Sequence, residues 1–328
     1  MPVKDRLLRV AARALLSPPL ARALGGRRRS GDAAALDPQI AAVLELQRLM
    51  RLPALESMEP PAARRFAEAG LSPLDVAHVP MAELIDTTAN GGIPVRIYVP
   101  YDAGPNWIVY FHGGGGVIGS IRASEPVTRL LAAQTRCTVA SVDYRLGPED
   151  KHPAAIDDAV SAFDAIAARA GRGARVAVAG DSFGGYLSAQ VDRAATRRPD
   201  LQVLIYPLVD MTMASPSVDR HAHGYLLTKP MMQWFRGHYT NSHDDLPAIS
   251  PLFWNDLRGA SPAIVITAGF DPLVDEGDAY VARLQDAGVP VDHHRHDSLI
   301  HGFLSLAGAV RAARAAIDRM TDAIKARL

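Results

Sequence analysis

Cysteine is almost missing from the chain: 328 residues hold one, Cys137. A single thiol makes no intrachain disulfide and no thiolate zinc cluster, so nothing here demands an oxidising compartment. Net charge is missing as well, with 35 basic residues against 35 acidic, and the general electrostatic case for a nucleic-acid partner goes with it. No apolar run reaches the roughly 20 residues that span a bilayer. Internal repeats, low-complexity tracts and long linkers are absent too, which argues against solenoids and independently tethered domains.

What is there suits one large folded unit. A chain with 48% hydrophobic and 21% charged residues buries a sizeable core and is not disordered. Its length fits a single α/β catalytic domain carrying an insertion or cap. The expectation is a soluble, cytoplasmic protein with no integral membrane segment, and a homodimer stays open. Charge is unevenly placed, however: residues 1–35 carry eight basic side chains against Asp5 and Asp32, a net +6. Arg9 and Arg13 interrupt the apolar stretch from Leu7 to Leu16, so the segment lacks the uninterrupted apolar run of a secretory signal and none is expected. It reads as a basic amphipathic arm, either docked on the rest of the protein with solvated arginines or resting on an anionic lipid surface.

From residue 93 onwards, apolar runs alternate with helical stretches. Strands are expected at 93–100, 107–111, 138–144, 175–180, 201–207, 263–269 and 291–296, and a terminal helix within Leu304–Leu328. Short Val- and Ile-rich runs separated by helices mean a mainly parallel sheet covered on both faces, hence an α/β fold. Residues 1–75 and 208–250 break that rhythm. They are expected to form a basic arm with the first part of a helical cap, and the second part of that cap; 76–207 and 251–328 would be the core.

Gly180-Asp181-Ser182-Phe183-Gly184 has G-x-S-x-G spacing between the strand RVAVA and the helical YLSAQVDRAA. A sharp strand-to-helix turn strains the serine and exposes its Oγ, and only glycine two residues before and after lets the chain pass closely. His112-Gly113-Gly114-Gly115-Gly116 follows the strand WIVYF, where uncrowded backbone N–H groups suit an oxyanion hole. On this segment alone a dinucleotide site competes equally, because Gly114, Gly116 and Gly119 also fit G-x-G-x-x-G, with Asp143 ending the next strand. The acid and base decide between them. Asp271 ends the strand AIVITAG and His301 follows the last strand, so the order Ser, Asp, His matches the α/β-hydrolase layout. Asp275 and Glu276 are nearby alternative acids, one turn into the next helix.

HGGG at 112–115, VDYRLGPE at 142–149, GDSFGG at 180–185, SPL at 250–252, DPLVDEG at 271–277 and HGF at 301–303 together resemble the bacterial hormone-sensitive-lipase family of carboxylesterases. The resemblance runs from about Leu36 to the C-terminus. It implies an α/β-hydrolase fold with a helical cap, Ser182 as nucleophile, Asp271 as acid and His301 as base. It also implies oxyanion donors in the N–H groups of Gly114, Gly115 and Phe183, no cofactor or metal, and a small-molecule ester as substrate. Amidase, peptidase or true lipase chemistry on the same triad, or a receptor on a hydrolase scaffold, are the alternatives. Three positions depart from the family pattern. Phe183 stands for the usual alanine, Tyr186 for asparagine and Gly116 for an aromatic; Phe183 should narrow the site beside the nucleophile while Gly116 removes a wall.

Other features have plainer expectations. His293, His294 and His296, with Asp292 and Asp297 near, could bind a metal but more simply pack on the sheet. His221 and His223 lie in the cap region, touching substrate or solvent. Met211, Met213, Met231, Met232, Trp234 and Phe235 either line an acyl pocket or pack on the core. Arg145 and Glu149 are expected to pair with each other.

Overall fold

The computed structural model describes residues 14–26, 35–70 and 74–328. The remainder of the basic arm, residues 1–13 and 27–34, lies outside the described residues. Of the arm, helix α1 (Pro18–Gly25) packs on α2 (Pro38–Met50), with Ala21 buried and Arg22 exposed. Asp37 starts α2 as an N-cap, its Oδ1 accepting the amides of Gln39 (2.8 Å) and Ile40 (3.2 Å). Helix α3 spans Pro60–Gly70.

Eight strands form one sheet: β1 (Glu83–Thr88), β2 (Pro94–Val99), β3 (Trp107–Phe111), β4 (Thr138–Val142), β5 (Val176–Asp181), β6 (Leu201–Ile205), β7 (Ala263–Phe270) and β8 (Val291–Ile300). Their order is β1-β2-β4-β3-β5-β6-β7-β8, antiparallel at β1/β2 and β2/β4 and parallel throughout the rest. Between them run α4 (Ile121–Thr135), α5 (Ala154–Arg169), α6 (Phe183–Ala194), α7 (Pro216–Arg220), α8 (Lys229–Tyr239), α9 (Val274–Asp286) and the terminal α10 (Arg311–Arg327). Strand residues alternate between the two faces of the sheet, each of which is covered by apolar packing. Ile108 and Tyr110 face the side of α4 and α10, whereas Val109 and Phe111 face the side of α5 and α6. Burial on both faces explains why the central strands read as unbroken apolar runs.

All seven expected strands are present. β1 was not expected: ELIDTT is largely exposed at the sheet edge, so it lacks the apolar signal that marks the others. The expected Arg145–Glu149 pair does not form. Residues 145–149 follow an irregular turn rather than a helix, so a spacing of four does not bring the two side chains together. Arg145 instead grips Asp158 (Nη2–Oδ1 2.8 Å), and Glu149 takes Arg64 of α3 (2.6 Å), whose Nη2 also donates to the Gly147 carbonyl (2.8 Å).

The strand histidines do not converge on a common point. His293 Nε2 lies 2.9 Å from Thr267 Oγ1 and His294 Nε2 lies 3.0 Å from Asp292. His296 is pushed down from 6.5 to about 4 by burial, with Arg319 and His294 adding to the effect. A histidine depressed in the fold stays neutral while the unfolded chain takes up its proton. Stability is therefore expected to fall as pH drops from about 6.5 towards 4. Denaturant melts across that window should show a shallower loss in His296→Gln, and equal slopes in the two proteins would contradict this.

Candidate active site

Because β5 to β8 are parallel, their carboxyl ends open on one edge of the sheet, and β5, β7 and β8 each deliver one side chain there. Ser182 caps α6 with φ 56° and ψ −115°, a left-handed conformation costing about 1–3 kcal/mol in a residue with a Cβ. The flanking glycines make the turn passable: a Cβ on Gly180 would strike the Gly184 carbonyl, and one on Gly184 the Phe111 carbonyl. Asp271 follows β7, just after a register irregularity between Ala268 and Phe270 where bare Gly269 lets the backbone of Asp297 pass. His301 directly follows β8.

The three meet in a line. His301 Nε2 is 2.9 Å from Ser182 Oγ, and His301 Nδ1 is 2.7 Å from Asp271 Oδ2. Asp271 is 1% exposed, and its Oδ1 accepts the Leu273 amide at 2.8 Å, which sets the carboxylate plane. Neither alternative acid hydrogen-bonds His301. Asp275 pairs with Arg220 (2.6 Å), whose guanidinium lowers its pKa. Glu276 is fully buried, accepts the amides of Val209 (2.7 Å) and Asp210 (3.0 Å), and is held well above the usual carboxylate range by burial.

The glycine loop borders the same space. Gly114, Gly115 and Gly116 have φ of 123°, 62° and 72°. Among the described residues, the N–H groups of Gly114, Gly115 and Phe183 have no acceptor within the protein, and that of Phe183 sits at the positive end of the α6 dipole. The carbonyls of the relevant peptides are engaged instead. Gly114 O accepts from Val117 and Ile118 (both 3.0 Å), and Gly113 O lies 2.7 Å from His112 Nδ1. Burial lowers the His112 pKa, and because the Gly113 carbonyl can only accept, the ring donates from Nδ1. Its stacking on Tyr144, 4.4 Å between centroids, holds it in place.

Asp181 was missed as a site residue, although it stands beside the serine in the motif. Its Oδ1 accepts the Gly113 amide (2.9 Å) and the Tyr110 hydroxyl (2.6 Å), tying the glycine loop to β5. Burial raises its pKa. The motif shows an acidic residue there, but nothing local tells which loop it will hold.

A cavity of about 600 Å³ opens over Ser182, His301 and Gly113–Gly115. Leu44, Leu52, Leu55 and Phe66 line it from the N-terminal helical region; Met211, Met213, Met231, Met232 and Phe235 line it from residues 208–250. Trp234, His221 and His223 are not among its lining residues. Trp234 packs on Phe235 and His238, His221 is buried against Tyr225 and Phe270, and His223 is exposed.

The expected narrowing by Phe183 does not occur. Its ring is fully buried, turned away from the cavity, and packs edge-on to Tyr239 (4.7 Å) and beside Tyr186 (5.2 Å). A Cβ on Gly116 would lie 2.8 Å from the Phe183 and Tyr239 rings. The large residue at 183 thus fills the room left by the small one at 116, and two departures from the family pattern offset each other in one cluster.

A family model described as alpha/beta hydrolase fold matches residues 108–305. The chain belongs to the α/β-hydrolase family. The hydrolase is 36% identical over 320 residues to the carboxylic ester hydrolase LipN of Mycobacterium tuberculosis, covering 90% of this chain and 84% of that protein. It is 33% identical to the ethyl acetate hydrolase of Pseudomonas putida, covering 89% and 99%. Among solved structures, the hyperthermophilic esterase of the archaeon Pyrobaculum calidifontis superposes with a TM-score of 0.81 at 35% identity, over 89% of this chain and 98% of that one. The resemblance to the hormone-sensitive-lipase family is borne out, and the hydrolase stands among carboxylic ester hydrolases. Among the described residues no helix is long and apolar enough to cross a membrane.

Proposed function

We propose that the hydrolase cleaves small carboxylic esters through an acyl-enzyme on Ser182. The unbroken hydrogen-bonded line Asp271–His301–Ser182 carries this reading. His301 Nε2 takes the Ser182 proton as Oγ attacks the ester carbonyl, while Asp271 holds Nδ1–H and stabilises the imidazolium. The negative charge formed on the carbonyl oxygen is met by the N–H groups of Gly114, Gly115 and Phe183. Collapse breaks the ester C–O bond, and the imidazolium gives its proton to the leaving alcohol. Water, deprotonated by the same imidazole, then releases the acid and restores Ser182. The residues suffice without a metal or cofactor.

Residues 35–70 and 208–250 act as the cap in this account, supported by the side chains both contribute to the cavity. A cytoplasmic location is supported by buried, lone Cys137, which needs no oxidising compartment. A cavity of about 600 Å³ bounded by apolar cap residues favours short to medium acyl groups. A series of p-nitrophenyl esters should give a kcat/KM maximum between about two and eight acyl carbons, since each buried methylene contributes up to ~0.8 kcal/mol until the wall is met. A maximum at sixteen or more carbons with activation at a lipid interface would assign a lipase instead, and faster cleavage of matched anilides would assign an amidase.

A further inference from the structure

Three consecutive glycines with positive φ have no conformational preference strong enough to aim their own N–H groups. Something outside the loop must hold them. The carbonyl of the Gly114–Gly115 peptide is fixed by Val117 and Ile118, but its other end, the Gly115 α-carbon, rests against the ring of Phe235, into which a Cβ at Gly115 would project. One residue on, Gly116 rests against Tyr239 and Phe183, and its carbonyl accepts the Gly147 amide at 2.7 Å. Phe235 and Tyr239 are one turn apart on α8, in the cap.

Helix α8 is itself fastened to the loop that holds Gly116. The Lys151 ammonium donates to the carbonyls of Gly237 (3.2 Å) and Thr240 (2.9 Å), and the His152 amide to that of Tyr239 (2.9 Å). Asn241 Nδ2 donates back to the His152 carbonyl (3.0 Å), and Arg236 Nη1 reaches the carbonyls of Met211 and Thr212 (both 3.2 Å). Bare Gly147 lies against the His238–Tyr239 backbone, where a Cβ would come within 2.6 Å of the His238 carbonyl. Glycine loop, residues 147–152 and α8 therefore form one packed block.

We propose that Phe235 is a positioning residue for the oxyanion donors, so that α8 sets the rate of the chemical step as well as enclosing substrate. This rests on the reading of Gly114 and Gly115 as oxyanion donors. Truncating Phe235 frees the Gly115 α-carbon, and the donor directions spread; loss of one well-aimed donor costs about 10²–10³ in kcat elsewhere, and partial misalignment about 10–100-fold.

The test uses phenyl acetate, whose acyl group is a single methyl beyond the carbonyl, and 2,2,2-trifluoroacetophenone, which adds the serine oxygen and places an alkoxide where the oxyanion forms. Phe235→Ala should lower kcat about 10–100-fold with KM changed less than about threefold, and weaken the ketone by the same factor as kcat/KM. Phe235→Leu, which keeps apolar bulk over Gly115, should recover most of the rate. Gly147→Ala, at a residue that does not line the cavity, should reproduce the kcat loss by displacing α8. An unchanged kcat with raised KM in Phe235→Ala would overturn the proposal, as would a kcat loss without matching loss of ketone affinity. If Phe235→Ala does not fold, Gly147→Ala and Phe235→Leu decide the matter by the same two readouts. Failure of trifluoroacetophenone to inhibit the unmodified hydrolase would count against the oxyanion reading itself, whereas inhibition of the parent with unaltered variants sinks only the role of Phe235.

Discussion

Ser182→Ala is expected to lower kcat for aryl ester hydrolysis by about 10⁶-fold, the loss found when a triad serine is removed. The hydroxyl is the only group in the line Asp271–His301–Ser182 able to form the acyl bond, and among the described residues no other serine or cysteine hydrogen-bonds His301. The fold should survive. Residue 182 already occupies φ 56°, alanine bears that conformation no worse than serine, and the backbone bonds of the turn, Ser182 N to Ile205 O (2.8 Å) and Leu208 N to Ser182 O (3.1 Å), do not involve the side chain. An unchanged melting temperature should therefore accompany the dead enzyme. More than a few per cent of residual activity in purified protein would mean that another group attacks the ester.

Asp271→Asn should cost about 10⁴ in kcat. Asparagine fills the same volume, yet the amide presents an N–H where Asp271 Oδ2 accepts from His301 Nδ1, and the imidazole turns to the tautomer with its proton on Nε2. That proton then faces Ser182 Oγ, and the base is lost. Asp275→Asn should leave kcat within a few-fold, because its carboxylate is engaged by Arg220 at the half-exposed edge of the cap and such pairs are worth about 0–1 kcal/mol. Measuring both variants on one ester separates the acids. An inactive Asp275 variant beside an active Asp271 variant would move the role.

The central strands and the Ser, Asp and His positions were legible because their signals are local. Strands buried on both faces are apolar at most positions, with Ser141, Gln202 and Thr267 as buried exceptions, and the turn at Ser182 leaves a glycine on either side wherever it occurs. β1 carried no such signal, being an edge strand held by backbone pairing with β2. Contacts between distant segments were also hidden. Arg64 and Glu149 are 85 residues apart, and Asp181 and Gly113 are 68, so neither pairing shows in the spacing of a motif. The Phe183 ring was misplaced for a related reason. A substitution next to the nucleophile looks like a change to the pocket when read along the chain, but the helix turns that side chain inward, where Gly116 and Tyr239 wait for it.

The most direct measurement is mass spectrometry of the hydrolase after inactivation by a p-nitrophenyl alkylphosphonate. The account predicts one phosphonyl group per chain, located by peptide mapping on Ser182, with activity lost in step with labelling and no label taken up by Ser182→Ala. A label on any other residue, or full esterase activity in protein fully labelled at Ser182, would contradict it.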